Sequence, residues 1–252
     1  MTCAVILVKL GGSVITNKEK PLSARTRNMD GIAAALAKLR EPVVVVHGGG
    51  SFGHYWSVKY DMHTKPARYE IRGVATVKNS MARLNMMVLD SLLNAGLSPY
   101  SVPPACISRS GRPLSAGIKE TGEEARAGLV PVTYGDALWA GRGRTYILSG
   151  DRIMGMLARA LRPRLCIFAM NVDGLYESPR TRKLIPELGR GTPELGEAGM
   201  DVTGGMGRKI EEGRKIARGG TKVFLVNGKK PRRILDAALK GSFAGTIIRG
   251  HK

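Results

Sequence analysis

Apolar residues along this chain gather into short unbroken runs, and between the runs they recur every three or four positions. The runs AVILVKL (4–10), PVVVVH (42–47), TYILSG (145–150), LCIFAM (165–170) and KVFLVN (222–227) are rich in β-branched and other large apolar side chains. That is the pattern of strands buried on both faces. The stretches 30–39, 68–93, 151–161 and 207–218 carry the helical period instead. Turn chemistry separates them: NAG (94–96), RSGRP (109–113), NG (227–228) and a Pro- and Gly-rich stretch at 186–207. Strands alternating with helices predict an α/β fold, an αβα sandwich around a mostly parallel open sheet. No internal repeat, low-complexity segment or flexible linker is present. The expected division is into two lobes on one continuous sheet, 1–165 and 166–252.

In such sheets ligands sit beyond the carboxyl ends of the strands, so the strand-to-loop junctions are where chemistry is expected. Four of them combine glycine with a polar or charged residue: KLGGS (9–13), HGGGSFGH (47–54), LSGD (148–151) and NVDGLY (171–176). A fifth glycine turn, TGGMGRK (203–209), opens a helix. Amides of glycines after a strand, helped by a helix N-terminus, make a cradle for an anion. Gly48, Gly50 and Gly53 also fit the dinucleotide fingerprint G-x-G-x-x-G. A dinucleotide unit, however, needs a second strand ending in an acid about 20 residues on. Asp61 and Glu70 end no recognisable strand, and no Walker string G-x-x-x-x-G-K-[ST] occurs.

Lys9 lies one residue before the tip of an apolar strand, where a lysine is costly unless paired or facing a ligand. Lys20 reads as solvated, and Lys18 is compatible with that reading. Lys209 stands near the start of a helix, where a positive side chain opposes the helix dipole. A glycine turn together with Lys9, Lys18 and Lys209 suits phosphoryl transfer, which needs positive charge around equatorial oxygens more than covalent help.

Charge and composition narrow the picture further. The chain has 252 residues and a formal net charge of +20. The excess is spread, with 19 basic and 10 acidic residues in 1–150 and 21 and 10 in 151–252. The densest cluster, Lys229, Lys230, Arg232 and Arg233, has no aromatic interleaved for base stacking. The surface therefore suits phosphorylated small molecules better than nucleic acid. No apolar run approaches the roughly 18–20 residues of a membrane span. The opening MTCAVILVKLGGS reads as a buried strand rather than a signal peptide. Cys3, Cys106 and Cys166 are odd in number and widely spaced, which points to a reducing, cytoplasmic setting and to neither a disulfide scaffold nor a zinc site.

Taken together, KLGGSVITNK, HGGGSFGH, LSGD, NVDGLY, DVTGGMGRK and the closing NGKKPRRILDAALKGSFAGTII resemble the amino acid kinase family, in the family's order and over nearly the whole chain. The resemblance implies a two-lobed kinase with residues 1–165 holding the acceptor and 166–252 holding ATP. It implies that Lys9 and Lys209 neutralise the transferring phosphoryl group, with Lys18 near the phosphates and Asp151 orienting the lysines. Amides around Gly11, Gly12 and Ser13, and at Gly48, Gly49, Gly50 and Gly53, would line the phosphate channel, with Gly150 close to the acceptor phosphate. Asp173, Gly174, Tyr176, Gly205 and Met206, with Lys9, Gly11, Gly12, Ser13 and Lys209, would hold ATP. Magnesium on the nucleotide phosphates is implied, without a dedicated protein cage for the metal.

The acceptor is implied by HGGGSFGH. The string is similar to that of family members that phosphorylate isopentenyl phosphate, a step of isoprenoid biosynthesis, where the histidine at the place of His54 contacts the acceptor phosphate. The same string occurs in fosfomycin kinases, and a UMP kinase-like acceptor stays open, as does a non-catalytic nucleotide- or RNA-binding role on this scaffold. His47 would shape the loop. Ile71, Val74, Val77, Met81, Met86, Met87 and Leu89 offer an apolar wall for a prenyl tail, although such spacing more often marks plain core. Dimers or larger assemblies in the family imply a homodimer.

Overall fold

The structure is a computed structural model that describes residues 4–63, 65–178, 183–189, 205–240 and 243–250. Eight strands build one sheet: β1 (Ile6–Leu10), β2 (Val43–His47), β3 (Pro99–Ser101), β4 (Val130–Tyr134), β5 (Leu165–Met170), β6 (Glu187–Leu188), β7 (Lys222–Asn227) and β8 (Gly245–Ile248). Their order is β6-β8-β7-β5-β1-β2-β4-β3. Among the described residues only the β7–β8 pairing within this sheet is antiparallel. β1 lies between β2 and β5, so one sheet runs through both expected lobes.

Helices cover both faces. On one side α2 (Thr26–Leu36), α4 (Ile71–Asn94) and α8 (Arg232–Leu239) pack Ile32, Leu36, Met81, Leu84 and Ile234 against Ile6, Val8 and Val45. On the other, α5 (Ser115–Arg126), α6 (Gly150–Leu161) and α7 (Gly205–Arg218) pack Ile118, Ile153, Leu157 and Ile210 against Leu7, Val44 and Val46. The α/β sandwich expected from the pattern is therefore present. Among the described residues no helix is long and apolar enough to cross a membrane.

Three differences from the sequence expectation have physical causes. The run at 145–150 is a strand, Arg144–Leu148, but it pairs antiparallel with Asp136–Gly141 in a separate hairpin and does not join the central sheet. A short apolar run records burial, not its partner. The run VPVTY (130–134) is not among the predicted strands, yet it forms β4, although proline weakens a strand. Pro131 is tolerated because the ladder to β2 starts only at Val45–Val132, and the β3 side is served by Val130 and Val132. Finally, GSFGHYWSVK is not a loop but α3 (Gly50–Lys59). Glycines in a helix cost about 1 kcal/mol each, but a side chain at Gly53 would press on the Met81 sulfur at 3.1 Å. The turn stretch 186–207 lies largely outside the described residues.

Candidate functional site

The site forms where β1, β2 and β5 end. Alternation along β1 sends Ile6, Val8 and Leu10 to one helix layer and Leu7 to the other. Lys9 shares the Leu7 face and so points toward α6. There Ser149 caps the helix, accepting from the Arg152 N–H at 3.3 Å, and Asp151 sits in the first turn, where the dipole favours a carboxylate. Lys9, only 4% exposed, donates from Nζ to Asp151 Oδ1. Lys209 Nζ, from α7, lies 4.0 Å from Asp151 Oδ2. Three side chains from β1, α6 and α7 thus meet as two cations around one carboxylate.

Burial works to raise the Asp151 carboxyl. The charge of Lys9, the charge of Lys209, the Lys9 hydrogen bond and the charge of Arg208 outweigh it and hold the group below its ordinary 3.8. Asp151 is therefore ionised at neutral pH, and the cluster keeps a net charge of one positive unit facing whatever binds. Because the folded-state value is lowered, the pair stabilises the fold above about pH 4 and that contribution is lost as pH falls through the lowered value.

The glycine loops close the remaining sides. The backbones after β1 and β2 are in direct contact: a Cβ on Gly12 would fall on the Gly50 nitrogen, and one on Gly48 would come 2.9 Å from the Gly12 nitrogen. Gly50 also has φ +48, which an L side chain rarely adopts. A Cβ on Gly150 would lie 3.2 Å from Lys9 Cε and from His47 O, so the α6 N-terminus meets both loops here. The amides of Gly50 and Gly150 are first-turn donors without an intrahelical acceptor. Those of Gly11 and Gly48 are already given to Ala169 O and Leu10 O, both at 2.9 Å. Gly11 and Gly48 therefore allow close approach of the loops, and any amides meeting an anion here would be those at the helix starts. Gly53 donates to Gly49 O within α3.

Other expected residues are placed less centrally. His54 is exposed in the second turn of α3, and Lys18 is exposed on the turn after the short helix α1 (Gly12–Ile15), which also holds Ser13. His47 is fully buried. Its Nδ1 lies 3.2 Å from Gly48 O and its Nε2 3.2 Å from Asn85 Oδ1. Burial, against the pull of these two hydrogen bonds, lowers its pKa to about 4. A neutral ring has one N–H, so with Nδ1–H given to Gly48 O the Asn85 amide must turn its NH2 toward Nε2. The ring is thereby tied to the Gly48 peptide.

In the other half, Asp173 Oδ1 accepts from Asn227 Nδ2 at 2.7 Å and Arg233 Nη1 at 2.5 Å, with Lys230 Nζ at 3.5 Å. The Asn227 hydrogen bond, joined by the charge and hydrogen bond of Arg233 and the charge of Lys230, holds its carboxyl below the ordinary value against the opposing effect of burial. Gly174 packs against Thr246, Tyr176 pairs with Leu184, and Met206 is buried in the first turn of α7. Gly205 opens α7, while the first residues of DVTGGMGRK (201–204) lie outside the described residues.

Sequence reading missed Thr16 and Ser51, which join the two glycine loops, and the pair Lys78 Nζ–Asp136 Oδ2 at 2.6 Å, which ties α4 to the hairpin beside Gly135. A threonine closing the apolar SVIT was the available signal for the first. The second joins positions far apart in the chain and left no local trace. On α4, Val77 and Met81 are buried core while Ile71, Met86 and Met87 face outward. Among the described residues no group of three or more His, Cys, Asp or Glu side chains could hold a metal ion.

The sequence profile of the Amino acid kinase family matches residues 4–227. The isopentenyl phosphate kinase of Thermoplasma acidophilum is 36% identical over 97% of this chain and all of its own length. That of Methanothermobacter thermautotrophicus is 32% identical over 98% and 99%. The crystal structure of the Thermoplasma acidophilum enzyme as a product complex superposes with a TM-score of 0.81 at 34% identity, covering 97% of this chain and 100% of that one. An N-acetylglutamate synthase from Neisseria gonorrhoeae, 13% identical with a TM-score of 0.72 over 99% of this chain and 60% of its own, shares the fold. With its fold, its ordered motifs and relatives above 30% identity over nearly full length, the chain belongs to the amino acid kinase family and, within it, to the isopentenyl phosphate kinases.

Proposed function

We propose that the protein transfers the γ-phosphoryl group of ATP to isopentenyl phosphate, giving isopentenyl diphosphate and ADP, a step of isoprenoid biosynthesis. The observation that carries this reading is the meeting of Lys9, Asp151 and Lys209 against two touching glycine loops, in a chain related throughout its length to isopentenyl phosphate kinases. An acceptor phosphate oxygen attacks the γ-phosphorus as the bond to the β–γ bridging oxygen breaks, and ADP leaves with that electron pair. A phosphate monoester has a second pKa of about 6, so the attacking oxygen is ionised at neutral pH and needs no general base. The task left to the protein is to hold two anions together. Lys9 and Lys209 spread positive charge over the transferring group, Asp151 keeps both in place, and Lys18 approaches the phosphates. His54 donates to the acceptor phosphate beside the Gly48–Gly50 loop and Gly150. The first 165 residues act as the acceptor half and 166–252 as the ATP half, with Asp173, Gly174, Tyr176, Gly205 and Met206 around the nucleotide.

Magnesium accompanies ATP in this reading. Among the described residues the site offers no carboxylate cage, and Asp151 is occupied by lysines. The metal's ligands would therefore come from the phosphates and water, and its charge would add to that of the lysines.

An ATP-consumption assay on isopentenyl phosphate, dimethylallyl phosphate, fosfomycin, UMP, acetylglutamate and carbamate tests the function. Selective turnover of UMP, fosfomycin or an amino acid derivative would overturn the prenyl phosphate reading. His54→Ala is expected to lower kcat on isopentenyl phosphate by about 10²-fold, the effect of removing one oriented donor, while ATP binding measured by calorimetry stays within about threefold. Near-normal turnover would remove His54 from the acceptor site. The acid limb of kcat/KM is expected at about pH 6, following the acceptor's second ionisation. A phosphonate acceptor of higher pKa should shift the limb upward, and a limb that stays in place assigns it to the enzyme.

The reading includes a homodimer in a cytoplasmic setting. Exposed Met86, Met87 and Leu93 on α4 and Tyr100 on the edge strand leave apolar surface suited to a second copy, and Cys106 and Cys166 are free thiols. Light scattering at micromolar concentration checks the dimer, and a monomer there would exclude it; cell fractionation checks the location.

A further inference from the structure

We propose that Thr16 and Ser51 form a positioning node that holds three phosphate-binding pieces in register: the loop after β1, the turn bearing Lys18, and the acceptor loop that opens α3. The proposal rests on the phosphoryl-transfer function proposed above and adds residues to it. Thr16 is fully buried and Ser51 is 4% exposed. The Thr16 hydroxyl donates to Gly12 O at 2.7 Å and accepts the Ser51 N–H at 2.9 Å. A threonine hydroxyl has one proton to give, so this group is committed in both directions, one to each glycine loop. Ser51 N–H is a first-turn donor of α3, and Gly49, just before the helix, has no side chain to cap it. Thr16 supplies that cap from another segment.

The same two residues fasten the Lys18 turn. Thr16 forms an isolated antiparallel bridge with Ala24, closing residues 17–23 into a loop, and its carbonyl accepts from Arg25 Nε at 3.0 Å. Ser51 Oγ meets both the N–H and the carbonyl of Ser23, at 3.3 and 3.4 Å, and Ser51 O accepts from Leu22 N–H at 3.5 Å. These hydrogen bonds tie residues 22 and 23 of the Lys18 turn to the acceptor loop through Ser51. The contact is tight: a Cβ on Gly50 would collide with the Thr16 hydroxyl oxygen. Neither side chain faces a reacting atom in this reading, so both act through the loops they join. A shift of one loop by about 1 Å is enough to cost 10²-fold in rate without abolishing binding.

The test compares Thr16→Val, Thr16→Ser and Ser51→Ala, the last also in a Lys18→Ala background, on the acceptor that the parent turns over. Valine keeps the shape of threonine and removes both hydrogen bonds. Thr16→Val is expected to lower kcat by about 10- to 100-fold with both KM values within about threefold, and Thr16→Ser to recover to within about threefold of the parent. Ser51→Ala should cost about 10-fold alone and less than about twofold when Lys18 is already alanine, because the two act as a unit. Backbone amide exchange at Ser51 should accelerate in Thr16→Val, a readout that needs no turnover and is independent of the parent's acceptor. The node is overturned if folded Thr16→Val keeps kcat within about twofold, if serine rescues nothing, or if Ser51 and Lys18 effects add. Unchanged protection of the Ser51 amide in Thr16→Val also overturns it. Should Thr16→Val fail to fold, the Ser51–Lys18 cycle decides by the same criterion.

Discussion

Lys9→Met is expected to lower kcat by about 10²- to 10³-fold while the protein stays folded, the scale of losing one preorganised charge aimed at the transferring group. Methionine fills the space of the lysine stem against Phe168, over whose ring the ammonium lies at 5.9 Å. Asp151 is not orphaned by this change, because Lys209 remains 4.0 Å away. The loss should therefore appear in catalysis and not in thermal stability. Steady-state kinetics with a parallel melting curve separates the two. A variant within tenfold of the parent, or one that simply unfolds, would remove Lys9 from the role proposed for it.

Asp151→Ala is expected to act in the opposite order, on stability first. Lys9 would be left 4% exposed with no described anionic partner, and breaking a buried pair from one side costs about 3–5 kcal/mol. Denaturant unfolding at pH 7 measures this directly. Asp151→Asn should lose less, since the amide oxygen still accepts from the ammonium. The pH dependence supplies a second check: the parent's advantage over Asp151→Asn should persist from neutrality to about pH 4 and shrink only below it, as the lowered carboxyl finally takes up a proton. Equal stability of parent and alanine variant would mean that the lysine finds another partner or leaves the interior.

The central strands were legible because they are buried on both faces: 6–10, 43–47, 165–170 and 222–227 are apolar along almost their whole length. Strands nearer the sheet edges were not. Pro99–Ser101 is half exposed, Glu187–Leu188 is two residues long, and β4 is interrupted by Pro131. Helix α3 was hidden by its glycines, which exist for packing and local conformation and weaken the signal on which periodicity depends. At the site, Lys9 could be singled out because a cation inside an apolar strand needs a reason. Its partner could not be derived from local pattern, since Asp151 is 142 positions away, and only the family resemblance pointed to it. Thr16 and Asn85 look like ordinary polar residues in sequence, and their importance comes from which carbonyls and amides the fold sets against them.

The adjacency of β1 and β2 turns the sheet into a ruler. Neighbouring strands lie about 4.8 Å apart by the geometry of peptide hydrogen bonds, and a phosphoryl group in flight must bring reacting atoms to about 3–3.5 Å. Two loops leaving adjacent strands, with backbones close enough to exclude a single Cβ, inherit their separation from that lattice constant. In the transfer proposed above, that distance would be set by main-chain geometry that hardly varies with sequence.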